Sequence, residues 1–223
     1  MPNSGLTERR IAEAALRLVD REGVDGLSMR KLAHDLGTAP MSLYTYFPDR
    51  DAVLEAAAQL LLAEIAVPEE GLEWRETIRQ IMRSVRSVGL AHRQAAGLMS
   101  RFAPRTLDAL AFVEAGFRAF ARAGFDQVST ARCYRALAVY SLGSFDVELN
   151  GYFADHPAGA AAVGALEAPT VAKHLPHVAA IGPTLAGQDD EAEFEYGLDL
   201  LLEGFAQAMG ERAAGGRTGT ATG

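Results

Sequence analysis

The stretch Leu27-Ser28-Met29-Arg30-Lys31-Leu32-Ala33-His34-Asp35-Leu36-Gly37-Thr38-Ala39-Pro40-Met41-Ser42-Leu43-Tyr44-Thr45-Tyr46-Phe47 decides the fold. Ser28 is placed to cap a short helix over Met29 to Leu36, and Leu27 and Leu32 stand where a hydrophobic staple fixes the angle of entry. Gly37 ends that helix. The turn Gly37-Thr38-Ala39 leads to Pro40, whose missing N–H costs nothing at the first position of a helix. The following helix is predicted to reach about Tyr46, with Ala39 a poor cap at its start. Leu32, Ala33, Leu36, Leu43 and Phe47 form an apolar set able to pack the two pieces at a steep angle. Together these features read as a helix-turn-helix.

The flanking chain is helical too. Ile11, Ala14, Ala15, Leu18 and Val19 make one apolar stripe on a helix from Glu8 to Glu22, with Thr7 as its cap and Gly23 as its stop. Asp49 caps a fourth helix from Arg50 to about Ala66, whose apolar face is Val53, Leu54, Ala57, Leu60, Leu61 and Ile65. Val67-Pro68-Glu69-Glu70-Gly71 then breaks the pattern. Beyond it, Trp74, Ile78, Ile81, Val85 and Val88 define a fifth helix to about His92. A sixth covers Gln94 to Arg101. Thr106 opens a seventh, rich in Phe112, Phe117 and Phe120, which stops at Gly124. An eighth runs from about Val128 to Phe153. Residues 155–188 read as a loop with a short helix near Val171 to Ile181. The last helix, Glu191 to Met209, is apolar nearly all round and expects a partner on more than one side.

Composition agrees. The chain has 223 residues, 49% hydrophobic and 22% charged, which are values for a globular protein with a real core. Its 41 Ala and 26 Leu outweigh 13 Val and 5 Ile, which disfavours a sandwich or a large sheet. A single cysteine, Cys133, excludes an intrachain disulfide and reads as a small buried residue. No signal peptide or membrane span is legible, so the expected location is the cytoplasm. Net charge is −8, which argues against non-specific coating of nucleic acid but leaves room for a reader whose few cations are well placed. His174 and His177 have ligand-like spacing without a third ligand, so no metal is expected. No cofactor is expected either. No phosphate loop, nucleophile turn or carboxylate pair argues for an enzyme.

Residues 7–66 resemble the DNA-binding domain of the tetracycline-repressor (TetR) family of transcriptional regulators. The resemblance is carried by the first helix, Gly23, Leu27-Ser28, Arg30-Lys31-Leu32-Ala33, Leu36-Gly37, Ser42-Leu43-Tyr44-Thr45-Tyr46-Phe47 and Asp49-Arg50-Asp51-Ala52-Val53-Leu54. More loosely, Tyr140-Ser141-Leu142-Gly143 and the stretch from Phe194 to Phe205 resemble that family's C-terminal domain. The resemblance implies an all-α chain of about nine or ten helices. Residues 1–66 would form a three-helix DNA-binding domain and 67–210 a domain for effector binding and dimerisation, while 211–223, rich in Gly, Ala and Thr, reads from its composition as a disordered tail. The resemblance implies a homodimer that binds a palindromic operator and is released by a small molecule.

Roles follow from the same resemblance. Arg30 matches a base- or phosphate-contacting position. Pro40, Met41, Tyr44 and Tyr46 match DNA-facing positions of the recognition helix, and Arg50 matches a cation that holds a phosphate. The chemistry is compatible: Arg binds guanine in bidentate fashion, and Tyr hydroxyls suit phosphate oxygens. Pro40 and Met41 stand where polar readers are common, so apolar contact with thymine methyls is expected there. Ser28 and Lys31 complete the expected DNA-binding set, although Lys31 reads equally as part of a solvated face, and Phe47 as core.

Inward positions of the fifth helix, the aromatic seventh and the small-residue eighth suggest an effector site at Ile81, Val85, Met99, Phe102, Val113, Phe117, Tyr134 and Ala138. In tetracycline-binding members of the family a His on the sixth helix coordinates drug-bound magnesium. Met99 matches that position, so a more apolar effector is expected. The rival reading is a helical effector-binding or protein-interaction module without sequence-specific DNA binding, supported by net charge −3 over residues 1–66.

Overall fold

The computed structural model describes residues 5–150, 164–165, 169–185 and 189–215. Every regular element among the described residues is a helix. Packing divides the chain into two compact units, the first ending at Ala123 and the second starting at Gly124.

In the first unit, α1 (Glu8–Glu22) is capped by Thr7, whose side chain accepts from the Arg10 N–H, and buries Ile11, Ala14, Ala15, Leu18 and Val19. Gly23 closes it at φ +76°, a backbone conformation that L side chains rarely adopt. One 3-10 turn, Val24–Gly26, precedes α2 (Met29–Asp35), where the Ser28 hydroxyl accepts from the Lys31 N–H. Leu27 and Leu32 are both buried, as a staple requires.

Helix α3 (Pro40–Leu43) is shorter than its sequence suggests. Beyond Leu43 the chain tightens into a turn, in which the Tyr46 and Phe47 N–H groups both donate to the Leu43 carbonyl. Phe47 precedes Pro48, which disfavours a helical conformation there.

Helix α4 (Arg50–Ala63) starts from Asp49, whose carboxylate accepts from the Ala52 N–H. The expected extension to Ala66 fails because the Ala66 N–H donates 2.8 Å to the Ser84 hydroxyl of α5 instead of to its own helix. Residues 67–71 join α4 to α5 (Trp74–Ala91) within this unit. α6 (Gly97–Arg101) begins three residues later than predicted, because Ala95 and Ala96 N–H groups close a turn on the His92 carbonyl. α7 (Leu107–Arg122) is capped by Thr106. α5 and α7 approach closely at Gly116, where a Cβ would stand 3.5 and 3.6 Å from the side-chain tips of Ile78 and Ile81. Trp74 and Phe120 pack at a ring separation of 5.8 Å across the same pair.

α4 is the centre of this unit. It packs on α1, on α6 and on α7, and buries Val53, Leu54, Ala57, Ala58, Gln59, Leu61 and Leu62. Gln59 is a polar side chain in that apolar set, and a buried amide must be hydrogen-bonded. It donates 2.9 Å to the Ala103 carbonyl and accepts from the N–H groups of Arg105, at 2.6 Å, and Thr106, at 3.2 Å. Asp51 and Glu55, two turns and one turn earlier on the same face, pair with Arg101 at 3.0 Å and Arg105 at 2.5 Å. One side of α4 is thereby tied to the end of α6 and the loop before α7.

In the second unit, α8 (Gln127–Leu149) buries Cys133, Leu137, Ser141 and Phe145. It ends at Leu149, with Asn150 as its cap, and the expected end at Phe153 falls in residues 151–163, which lie outside the described residues. Where the sequence reads as a loop with one short helix there are two helices, α9 (Pro169–His174) and α10 (Pro176–Leu185). Leu175 separates them, and Pro176 favours a fresh helical start. α11 (Asp190–Gly215) is longer than expected and takes up 211–215 of the predicted tail. Residues 216–223 lie outside the described residues. α8 and α11 pack with Tyr140 stacked on Phe194 at 5.6 Å, and the Tyr140 hydroxyl donates 2.6 Å to the Phe194 carbonyl. A Cβ at Gly197 would collide with that Tyr140 ring.

Candidate nucleic-acid interface

α2 and α3 pack together and α2 packs on α1, so the turn between them is presented by a small rigid core. Leu32, Ala33, Leu43 and Phe47 are buried in that core. Pro40, Met41, Tyr44 and Arg30 point the other way. Met41 is 75% exposed and Tyr44 46%, which leaves two large side chains unburied, one in the first turn of the recognition helix and one at its C-cap. Arg30 is exposed, with no hydrogen bond or ion pair among the described residues.

The remaining members of the expected set are engaged. The Lys31 ammonium pairs with Glu22 of α1 at 2.6 Å. The Ser28 hydroxyl is occupied as a cap. The Tyr46 hydroxyl donates 2.9 Å to the Leu6 carbonyl and so fastens the segment before α1 to the end of the recognition turn. Arg50 is turned inward. Its Nε donates 2.8 Å to the Leu27 carbonyl and its Nη2 donates 2.5 Å to the Val24 carbonyl, both in the segment that leads into α2. Arg21 of α1 pairs with Asp35 of α2 at 2.6 Å. Ion pairs and caps hold the two helices in place, and Arg30 is left unpaired on their outer surface.

Sequence reading took α4 for its apolar face, its Asp49 cap and Arg50, and so gave no role to Asp51, Glu55 and Gln59. Their four-residue spacing is the signal, since it places all three on one helix face.

The residues expected to meet an effector divide between the units. Ile81, Val85, Met99 and Val113 are buried within the first unit, Phe102 is half-buried, and Phe117 is 37% exposed on α7. Tyr134 and Ala138 are half-buried on α8, in the second unit. Burial pushes the Tyr134 phenol up from its ordinary value. Among the described residues no cluster of His, Cys, Asp or Glu is arranged to hold a metal ion, and no helix is long and apolar enough to cross a membrane.

Two family models match the chain. Residues 11–57 match the bacterial regulatory proteins of the tetR family, and residues 67–209 match the tetracyclin repressor-like C-terminal domain. This chain belongs to the TetR family. It is a DNA-binding, ligand-responsive transcriptional regulator. An HTH-type transcriptional regulator of Saccharopolyspora erythraea is 34% identical over 92% of this chain and 86% of its own length. The tetracycline repressor protein class A from transposon 1721 of Escherichia coli is 31% identical over 91% of each. Among solved structures, apo ActR of Streptomyces coelicolor superposes with a TM-score of 0.82 at 28% identity, covering 93% of this chain and 98% of that one. ActR in complex with actinorhodin gives 0.80 at 27% identity, over 92% and 99%.

Arg50 offers a direct check on this geometry. Arg50→Ala should lower stability by about 1–3 kcal/mol, because two backbone carbonyls lose a charged donor. Arg50→Lys should recover little of that loss, since an ammonium lacks the planar fork that reaches both carbonyls. Urea denaturation of the three proteins measures both effects. Full recovery by lysine would show that only the charge matters.

Proposed function

We propose that this TetR-family regulator reads DNA with Arg30, Pro40, Met41 and Tyr44, and that Ser28, Lys31, Tyr46 and Arg50 hold that surface in shape. The observation that carries the reading is the sorting of the expected set. Arg30, Pro40, Met41 and Tyr44 are exposed, with no side-chain hydrogen bond or ion pair of Arg30 or Tyr44 among the described residues, and four are engaged with the protein itself. The phosphate contact that the resemblance implies for Arg50 is open only to the part of its guanidinium that does not bond Leu27 and Val24. Arg30 supplies a bidentate donor for guanine or a phosphate, and Met41 and Pro40 supply apolar contact for thymine methyls.

A palindromic operator requires a dimer, and α8 and α11 are the proposed interface. Val139 of α8 is 74% exposed, and Tyr196 and Leu200 of α11 are 63% and 56% exposed, beside the buried row Phe194, Leu198 and Leu202. Exposed apolar residues on both helices of one packed pair suit an isologous four-helix contact. The dimer must present its two recognition helices about 34–36 Å apart to reach successive major grooves. A regulator of this kind acts where the chromosome is, in the cytoplasm.

The effector is a small, mostly apolar molecule that meets Ile81, Val85, Met99, Phe102, Val113 and Phe117. The support is the apolar character of these side chains, together with relatives of the same fold solved with actinorhodin and with minocycline. DNA release then runs through α4, which carries Arg50 at one end and Gln59 against the loop before α7. A ligand shifts DNA affinity only by the difference in its affinity for the two conformations.

Three measurements test this function. Arg30→Ala should weaken a selected operator by roughly 1–3 kcal/mol while changing random-sequence DNA less, read by fluorescence anisotropy. Equal losses on both would make Arg30 a phosphate contact. Light scattering at micromolar concentration should give twice the mass of one chain, and a single-chain mass would remove the basis for a palindromic site. In a thermal-shift screen that includes actinorhodin and minocycline, stabilising compounds should also lower operator affinity. Phe117→Ala should change that response and leave ligand-free DNA binding nearly intact. An unchanged response would remove Phe117 from the effector site.

A further inference from the structure

His92, at the end of α5, joins three helices. Its Nδ1 lies 2.9 Å from Asp20 Oδ2 on α1, and its Nε2 lies 2.9 Å from Glu64 Oε2 at the end of α4. The ring is only 20% exposed, and its backbone N–H closes α5 on the Val88 carbonyl. Ionised carboxylates only accept hydrogen bonds, and a neutral imidazole has one N–H. Two such contacts therefore need a proton on each ring nitrogen, or a proton on one of the acids. Imidazole is more basic than either acid by about two pH units, so the ring takes the proton. A cation there also lies beside the last carbonyls of α5, where positive charge is favoured.

The charged groups facing the ring are Asp20 from α1 and Glu64 from the end of α4. Arg21, next to Asp20, is engaged by Asp35, and Arg93, next to His92, is exposed. The last turn of α5 before the ring, Val88 to Ala91, carries no charge. Burial by itself pushes the ring pKa down. The hydrogen bonds and charges of Asp20 and Glu64 outweigh it and leave the value above the ordinary 6.5.

We propose that His92 is a positioning residue for DNA binding. With a proton on each ring nitrogen it ties α1 and α4, which carry the reading helices, to the end of α5, and losing one proton slackens that tie. A neutral ring still donates to one carboxylate but turns a lone pair toward the other. Asp20 tolerates this poorly, because its Oδ1 is already buried with no hydrogen-bond partner among the described residues. The folded-state pKa is raised, so the stabilisation is fully present below the unfolded value and is lost as pH rises through the folded value. Looser reading helices pay more ordering entropy on the operator, so DNA affinity falls over the same window. The inference rests on the proposed DNA-reading surface.

The test uses the full-length protein and a duplex that the wild type recovers from a random-sequence pool at about pH 6. Wild-type affinity should be about fivefold weaker at about pH 8 than at about pH 6, at the lower end of ordinary coupling between sites. His92→Gln should flatten this profile. His34→Gln, which removes an exposed ring on α2, should keep it. Asp20→Asn should also flatten it, because an amide can donate to an unprotonated Nδ1 and the bridge no longer needs the second proton. In the wild type, the His92 ring followed by NMR should titrate above 6.5, and the Tm should fall across the same window. A ring that titrates at or below 6.5, or a His92→Gln profile that matches the wild type, overturns the proposal. Recovery of no duplex at either pH overturns the DNA-reading surface and this proposal together, whereas binding without the pH term overturns this one alone.

Discussion

α4 must satisfy a buried amide while it is packed on α1, α6 and α7. Burying the Gln59 side chain without partners would cost on the order of 1–3 kcal/mol, so its three bonds to residues 103–106 fix where that loop runs. Asp51 and Glu55 repeat the tie along the same face through Arg101 and Arg105. These exposed pairs add little stability each. They do set a register between α4 and the end of α6, which the non-directional apolar packing of Leu54, Ala58 and Leu61 would leave free to slide.

The same helix fixes the reading surface from the opposite end. Arg50 reaches across to the Val24 and Leu27 carbonyls, so a displacement at the start of α4 is felt at the entry of α2. The α6–α7 loop, α4 and α2 thus form one run of directional bonds. Such a run can carry coupling between its ends, because each link has a partner to lose or keep.

Charge explains how an acidic chain can serve as a DNA-binding regulator. The net charge of −8 would repel a polyanion over most of its surface. Near the helix-turn-helix, Arg21 and Lys31 are neutralised by Asp35 and Glu22, which spends those cations on the internal geometry of α1 and α2. Arg30 keeps its charge on the outside. Affinity then depends on a few well-placed contacts rather than on a basic field, and a protein built this way depends heavily on the exact placement of its helices. His92 adds a further tie of this kind, at the end of α5.

The helical class, the caps at Thr7, Ser28, Asp49 and Thr106, the staple of Leu27 on Leu32 and the family itself were legible in the sequence. Each depends on residues a few positions apart, or on the order and type of residues along one short stretch. Element ends were less legible. α3 tightens into a turn after Leu43, just before Pro48, and α4 stops at Ala63 where the Ala66 amide finds the Ser84 hydroxyl of another helix. The inward turn of Arg50, the Tyr46 bond to Leu6 and the His92 bridge were not legible at all. Their partners lie 26, 40 and 72 residues away in the chain at the farthest, and no periodicity records such a pairing. A sequence determines which side chains are able to bond. Only the folded chain decides which of them meet, because burial removes water as the competing partner and leaves each polar group the neighbours that the packing supplies.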